Sequence, residues 1–269
     1  MKTWQVTGKA WSVLRSSLPI VGLIFGIQLV LGLIGLPLVN PQGTLSAGQT
    51  AFAIILGLAN FFLWPLIQAG CLAFSNYVLS GNASAVSSPI PRFLDGGKRS
   101  YWRVLSFGLL WGLICVLVVI LGAALFAAAT ALGAKMPAAG VLLVILTLVP
   151  LAVAAYLLIL TTAAGPMAIV VEQLGVMAAI RRGIRVGRAL IWRFILVSLA
   201  VTVTLLPAIG LAMLLAYVQG DAAQAQAGWR IVNLLIQSVL NSASVVLFTI
   251  AFVLVYRNYL HGSSAATAS

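Results

Sequence analysis

The chain of 269 residues is 62% hydrophobic and only 7% charged, and carries a net charge of +12. A soluble domain has roughly 25% charged residues, so this composition excludes a water-facing globular surface. Nucleic acid is not the expected partner either. The 15 Lys and Arg residues sit in short clusters between long apolar runs, where attraction to anionic lipid headgroups is the simpler explanation.

Residues 3–16 carry Trp4, Val6, Trp11, Val13 and Leu14 beside Lys9 and Arg15, which predicts a short amphipathic segment with Trp at the membrane interface. From Ser16 to Pro91 no residue is charged. About 20 apolar residues cross the hydrocarbon core, so this run must hold two spans and a turn. The first is expected at about 18–39, too long for the roughly 7–15-residue core of a cleavable signal. Asn40-Pro41-Gln42-Gly43 breaks it, and the second span follows at about 50–79, tilted or kinked at Pro65. Ser80 to Pro91 reads as a polar loop in which Pro89 and Pro91 stop any helix. Asn82-Ala83-Ser84 there matches a glycosylation sequon, discounted because the loop is placed on the cytoplasmic side.

Arg92 to Arg103 leads into a third span at about 104–132. A turn over Gly133 to Pro137 precedes the fourth, at about 138–164, which Gly165-Pro166 ends or kinks. Residues 173–192 predict an amphipathic helix with Met177, Ile180, Ile184, Gly187 and Ile191 on its apolar face. Spans at about 194–218 and 231–256 follow, and the tail from His261 to Ser269 reads as disordered. Cys71 and Cys115 both fall in apolar runs and look like small buried hydrophobes.

Orientation follows from the loop charges. One side receives Lys2, Lys9, Arg15, Arg92, Lys98, Arg99, Arg103, Arg181, Arg182, Arg185, Arg188, Arg193 and Arg257, and the other only Lys135 and Arg230. The first side is therefore cytoplasmic, with both termini on it. A repeat also shows: Gly97-Lys98, Trp102-Arg103 and Val104-Leu105 align with Gly187-Arg188, Trp192-Arg193 and Phe194-Ile195 at an offset of 90, with Gly8-Lys9-Ala10-Trp11 as a looser copy. The same pattern would arise in any hairpin protein that places Trp and Arg before an outgoing span. The expected architecture is all-α and polytopic, with six transmembrane helices in three hairpins, each preceded by a cytoplasmic interfacial amphipathic helix. It forms a single domain over residues 1–260, with tandem units at 1–90, 91–180 and 181–260, and a tail over 261–269.

Two constellations could carry function. Arg181, Arg182, Arg185, Arg188 and Arg193, with Lys98, Arg99 and Arg103, would hold anionic headgroups on the cytoplasmic leaflet or a membrane-protein partner. The same charges are also what positive-inside topology alone demands. Within the spans, Asn233, Gln237 and Asn241 recur at i, i+4 and i+8, continued by Ser244. Asn60, Gln68, Ser75 and Asn76 mark the second span, with Trp64 on a similar face. These amides line a polar path or only bond helix to helix, at roughly 0.6–2 kcal/mol per contact. Gly22-x-x-x-Gly26 and Gly108-x-x-x-Gly112 permit close helix approach. Asp95, Glu172 and Asp221 all lie outside the predicted spans, His261 is in the tail, and no phosphate-loop, dinucleotide or zinc-protease motif occurs. No catalytic residue, metal site or cofactor is expected.

Pro166, Glu172, Ala178, Arg181, Arg188, Trp192 and Arg193 resemble a motif of the membrane-domain family found beside bacterial glycerophosphodiester phosphodiesterases and in other six-helix proteins, although Gly183-Ile184 stands where that family has Ser-Trp. The resemblance covers about a tenth of the chain and implies a multi-pass protein of the bacterial inner membrane. The catalytic domain is absent, so hydrolysis does not transfer. The expected role is non-enzymatic lipid binding or assistance to a membrane complex. The alternative is a small permease using polar faces of the second and sixth spans.

Overall fold

A computed structural model describes residues 2–36, 46–81, 88–133, 137–224 and 227–267. These form seven α-helices: α1 (Thr3–Ser16), α2 (Leu18–Gly35), α3 (Ala47–Leu79), α4 (Pro89–Gly133), α5 (Pro137–Val171), α6 (Val176–Gln224) and α7 (Ala227–Thr267). Six stretches are long and apolar enough to cross a membrane: Leu18–Gly35, Ala47–Leu79, Pro89–Ala131, Leu151–Val171, Val176–Leu214 and Gly228–Gly262. Along α4, Leu117, Val119, Ile120 and Leu121 are each more than half exposed. A run of bare aliphatic side chains of this kind is unfavourable in water and natural against lipid tails. The chain is an all-helical, multi-pass membrane protein.

Several boundaries differ from the sequence reading. Pro89 and Pro91, expected to stop a helix, open α4. In the first turn a proline loses nothing, because an N–H there has no intrahelical acceptor. Gly165-Pro166, expected to end or kink the fourth span, lies within α5, which continues to Val171. Residues 92–103 and 176–192 are not separate helices: each is the opening of a continuous α4 or α6. At 1.5 Å per residue α6 is about 74 Å long, against a hydrocarbon core of about 30 Å, so several of its turns stand outside the core. Only α1 is detached from its span. Ser17 leaves helical geometry (φ −98°, ψ 3°), and Pro19 in the first turn of α2 has no N–H with which to continue α1. α7 passes His261, where disorder was expected, and runs to Thr267. The turn at Asn40 to Gly43, the sequon at Asn82 and Lys135 lie outside the described residues.

The chain divides into two compact units, Met1–Tyr101 with Trp192–Ser269, and Trp102–Ile191. In the first unit α7 is central and packs on α1, α2 and α3. From Val246 to Tyr256 it is almost wholly apolar and buried or half-buried on every face: Val246, Leu247, Ile250, Ala251, Val253, Leu254 and Tyr256 are each at most 4% exposed. α1 buries Val6, Ala10 and Leu14 at intervals of four, and Trp11 Nε1 donates to Thr204 Oγ1 at 3.1 Å. α3 and the start of α4 run antiparallel: Arg92 lies 4.1 Å over the Tyr77 ring, Phe93 sits against Gly70, and Tyr101 Oη donates to the Phe62 carbonyl at 3.1 Å. Arg257 Nη1 donates to the Asn76 carbonyl at 2.9 Å and to Ser80 Oγ at 2.7 Å. The Asn76 carbonyl also accepts from the Ser80 N–H at 3.1 Å, so Arg257 adds a second donor at the C-terminal end of α3, where the helix dipole favours a cation.

In the second unit α5 runs antiparallel to the start of α6, with Gly183 against Gly165 and Thr161, and Gly187 against Leu160. The intervening turn holds Gln173 at φ 57°. Arg103 Nη1 donates to its carbonyl at 3.1 Å, and Arg182 pairs with Glu172 at 3.0 Å. The buried positions of α4 and α6 keep the same register: Phe93, Gly97, Ser100, Val104 and Phe107 correspond at an offset of 90 to Gly183, Gly187, Leu190, Phe194 and Val197.

Glycine usage departs from the sequence reading. A Cβ on Gly22, Gly26, Gly108 or Gly112 would meet nothing within 4 Å, so neither spaced pair marks a close approach among the described residues. The close approaches use Gly32, Gly70, Gly96, Gly97, Gly165, Gly183 and Gly187. Cys71 is buried as expected, whereas Cys115 is exposed on α4.

Candidate functional site

Within the first unit, α2, α3 and α7 line an open cleft of about 550 Å³ along three of the candidate spans, with Asn60, Gln237 and Asn241 exposed in it. Each helix presents one face to it. α2 contributes Ile27, Gln28, Leu31 and Gly32. α3 contributes Leu56, Gly57, Asn60, Trp64 and Ile67. α7 contributes Leu234, Gln237, Ser238 and Asn241. The spacings of three and four are those of helix faces. Two glycines shape the cleft in opposite ways. A Cβ on Gly32 would collide with the Leu234 side chain, so this glycine lets α2 approach α7, while a Cβ on Gly57 would meet nothing within 4 Å.

Four carboxamides converge here. Gln28 Oε1 accepts from Ser242 Oγ at 3.0 Å, and that hydroxyl also lies 2.6 Å from the Ser238 carbonyl. Ser242 is fully buried and Ser238 nearly so. The other three amides differ: among the described residues, the side chains of Asn60, Gln237 and Asn241 have no hydrogen-bond partner. Leaving a polar group unpaired in an apolar medium costs about 1–3 kcal/mol on mutational scales. The cleft is thus a place where a molecule that forms hydrogen bonds is favoured. Substituting the three by leucine is expected to raise thermal stability by about 1 kcal/mol each in detergent. Amides bonded between helices would give a loss instead, and a thermal melt of the three single variants separates the two.

The structure gathers part of the predicted polar path. Asn60, Gln237 and Asn241 share the cleft, while Asn233, Gln68 and Asn76 do not line it. Asn76 instead offers its backbone carbonyl to Arg257. Beyond Ile67 and Asn241 the helices continue into buried residues, Ala69, Cys71 and Leu72 on α3 and Val246, Leu247 and Ile250 on α7, so the polar lining ends partway along both helices. Gln28 was missed in the sequence. Its signal was present, as the single polar side chain in the otherwise apolar stretch from Leu18 to Val39.

Among the described residues, the basic side chains are spread over both units. In the second unit Arg182 pairs with Glu172 and Arg103 reaches Gln173, while Arg181, Arg185 and Arg188 are exposed on one face of α6. In the first unit Lys98, Arg99 and Arg193 are exposed. The apolar face expected over 177–191 is rotated. Met177 is 64% exposed, and the buried stripe is Ala179, Gly183, Val186, Gly187 and Leu190. Small residues win that face because they let the α5 backbone come close. Comparison with protein-family models, with curated proteins and with solved structures finds no match for this chain.

Proposed function

We propose that the chain is a non-enzymatic lipid-binding protein, which takes the polar part of a membrane amphiphile into the cleft between α2, α3 and α7. The observation that carries this is the set of unpartnered amides, Asn60, Gln237 and Asn241, within membrane-spanning helices. Ile27, Leu31, Leu56 and Leu234 supply apolar walls beside them, the mixture of mostly apolar lining and few polar groups typical of small-molecule sites. The end of the polar lining at Ile67 and Asn241 favours binding over passage across the membrane. Mass spectrometry of lipids retained through purification tests this: the wild type should keep a stoichiometric lipid that Gly57→Leu releases. Equal retention by both would remove the cleft as the site.

The loop charges support cytoplasmic termini, and the resemblance of 165–193 implies a bacterial inner membrane. The shared burial register of α4 and α6 supports a repeated unit in which a basic, aromatic segment leads into a helical hairpin, and the looser sequence copy at Gly8-Lys9-Ala10-Trp11 would make a third. The exposed arginine face of α6 supports a second, electrostatic contact with anionic lipid on that same leaflet. Each basic residue near such a surface is worth about 1 kcal/mol. Changing Arg181, Arg185 and Arg188 together to Gln is expected to weaken anionic-lipid association by about 3 kcal/mol at low salt, without changing retention of the cleft lipid. Lipid titration of protein in nanodiscs of varied anionic content measures this, and an unchanged affinity would leave these arginines a purely topological role.

A further inference from the structure

The charge distribution around the cleft narrows what it can hold. No Lys, Arg, Asp or Glu lines it. None occurs in the sequence from Ser16 to Pro91 or from Ile231 to Tyr256, the segments that build its walls. A phosphate or ammonium group placed there would be an unpaired charge in a low-dielectric surrounding, which is strongly disfavoured. The polar part of the ligand is therefore uncharged.

The lining also says what kind of uncharged group fits. A carboxamide donates through its nitrogen and accepts through its oxygen, and a serine hydroxyl does both through one atom. Gln28, Asn60, Gln237, Asn241 and Ser238 thus match a ligand whose groups both give and take hydrogen bonds at close spacing. Hydroxyl groups on neighbouring carbons do this. Trp64 stands one turn from Asn60 on α3, lines the cleft and is 42% exposed. Its indole presents a flat face with negative quadrupole. The C–H face of a sugar ring or polyol packs on such a surface while its hydroxyls reach the amides. Resting on the lipid-binding reading above, we infer that the cleft selects lipids with an uncharged polyhydroxylated headgroup, of the glycosyl or glycerol type, over lipids that carry phosphate.

The test is native mass spectrometry of the full-length chain in zwitterionic detergent. Monoglucosyl diacylglycerol and phosphatidic acid with the same acyl chains are added at equal concentration. Only lipid released by Gly57→Leu is counted as bound in the cleft, and Gly108→Leu, which adds the same side chain in open space on α4, is the control. The wild type is expected to hold the glucosyl lipid in the cleft at least about tenfold better than phosphatidic acid. Replacing Gln237 and Asn241 together by leucine should lower that retention by about tenfold, as expected for one to two net hydrogen bonds. Trp64→Leu should reduce the preference for the glucosyl lipid over unsubstituted diacylglycerol. Cleft binding of phosphatidic acid equal to or above that of the glucosyl lipid overturns the headgroup assignment and leaves the lipid cleft standing. If Gly57→Leu releases neither lipid, or the wild type retains neither, the lipid-binding reading falls with it.

Discussion

Gly57→Leu is expected to exclude lipid from the cleft while the chain folds as before. Gly57 faces a cleft of about 550 Å³, and a Cβ added to it would meet nothing within 4 Å. The new side chain would project between Asn60, Trp64 and the α7 amides, where the ligand's polar part must sit. Replacing glycine inside a helix by leucine also gains about 0.5–1 kcal/mol of helix propensity, so loss of binding should come with unchanged or raised stability. Retention of the cleft lipid should fall by more than about tenfold, or about 1.4 kcal/mol. Gly32→Leu makes the contrast, since its side chain would collide with Leu234 and push α2 from α7. That variant should lose stability and lipid together. A thermal melt beside lipid mass spectrometry distinguishes them, and Gly57→Leu with lipid still bound would show that the amides serve some other purpose.

Gly187→Val should be the most damaging single change to the fold. A Cβ at Gly187 would lie 2.7 Å from the Leu160 carbonyl oxygen and 3.0 Å from the Leu160 Cβ. A side chain in the way can change rotamer, but the obstacle here is helix backbone and cannot. Overpacking of a tight core costs about 1–3 kcal/mol when neighbours can adjust, so a loss of at least about 3 kcal/mol is expected. Gly97→Val in the first unit should act the same way, since its Cβ would lie 3.0 Å from the Leu66 carbonyl oxygen. Gly108→Val and Gly112→Val, in the motif that looked like a helix-packing signal, should be near neutral. Thermal aggregation of the four variants in detergent ranks them. A normal melt for Gly187→Val would mean that α5 and α6 do not cross there.

How much was legible in advance differs from feature to feature. The six spans followed from apolar run lengths, because the bilayer imposes one minimum length on every crossing helix. The offset of 90 was readable from the Gly, Trp and Arg positions, and the burial of Gly97 and Gly187 gives it a structural counterpart. Helix ends were less readable. Pro89 and Pro91 read as breakers, yet in the first turn of a helix a proline's missing N–H has no intrahelical acceptor to lose. The glycine pairs Gly22/Gly26 and Gly108/Gly112 misled because close approach depends on which face a neighbouring helix covers.

The candidate site divides in the same way. Asn60, Gln237 and Asn241 stood out in the sequence because an amide in a charge-free span needs a reason to be there. Gln28 carried the same signal more faintly, as one amide without a helical stripe to join. That these four meet at one cleft, and that Asn233, Gln68 and Asn76 do not, follows from how α2, α3 and α7 are rotated about their own axes. So does the burial of Gly183 and Gly187 in place of Met177. Composition and charge alone made this an all-helical chain with six spans, since the bilayer is a uniform solvent that reads only length and polarity. Which amides share a cleft, and which glycines touch backbone, only the tertiary structure decided. Helix rotation is set by contacts between segments distant in the chain, and no local pattern records them.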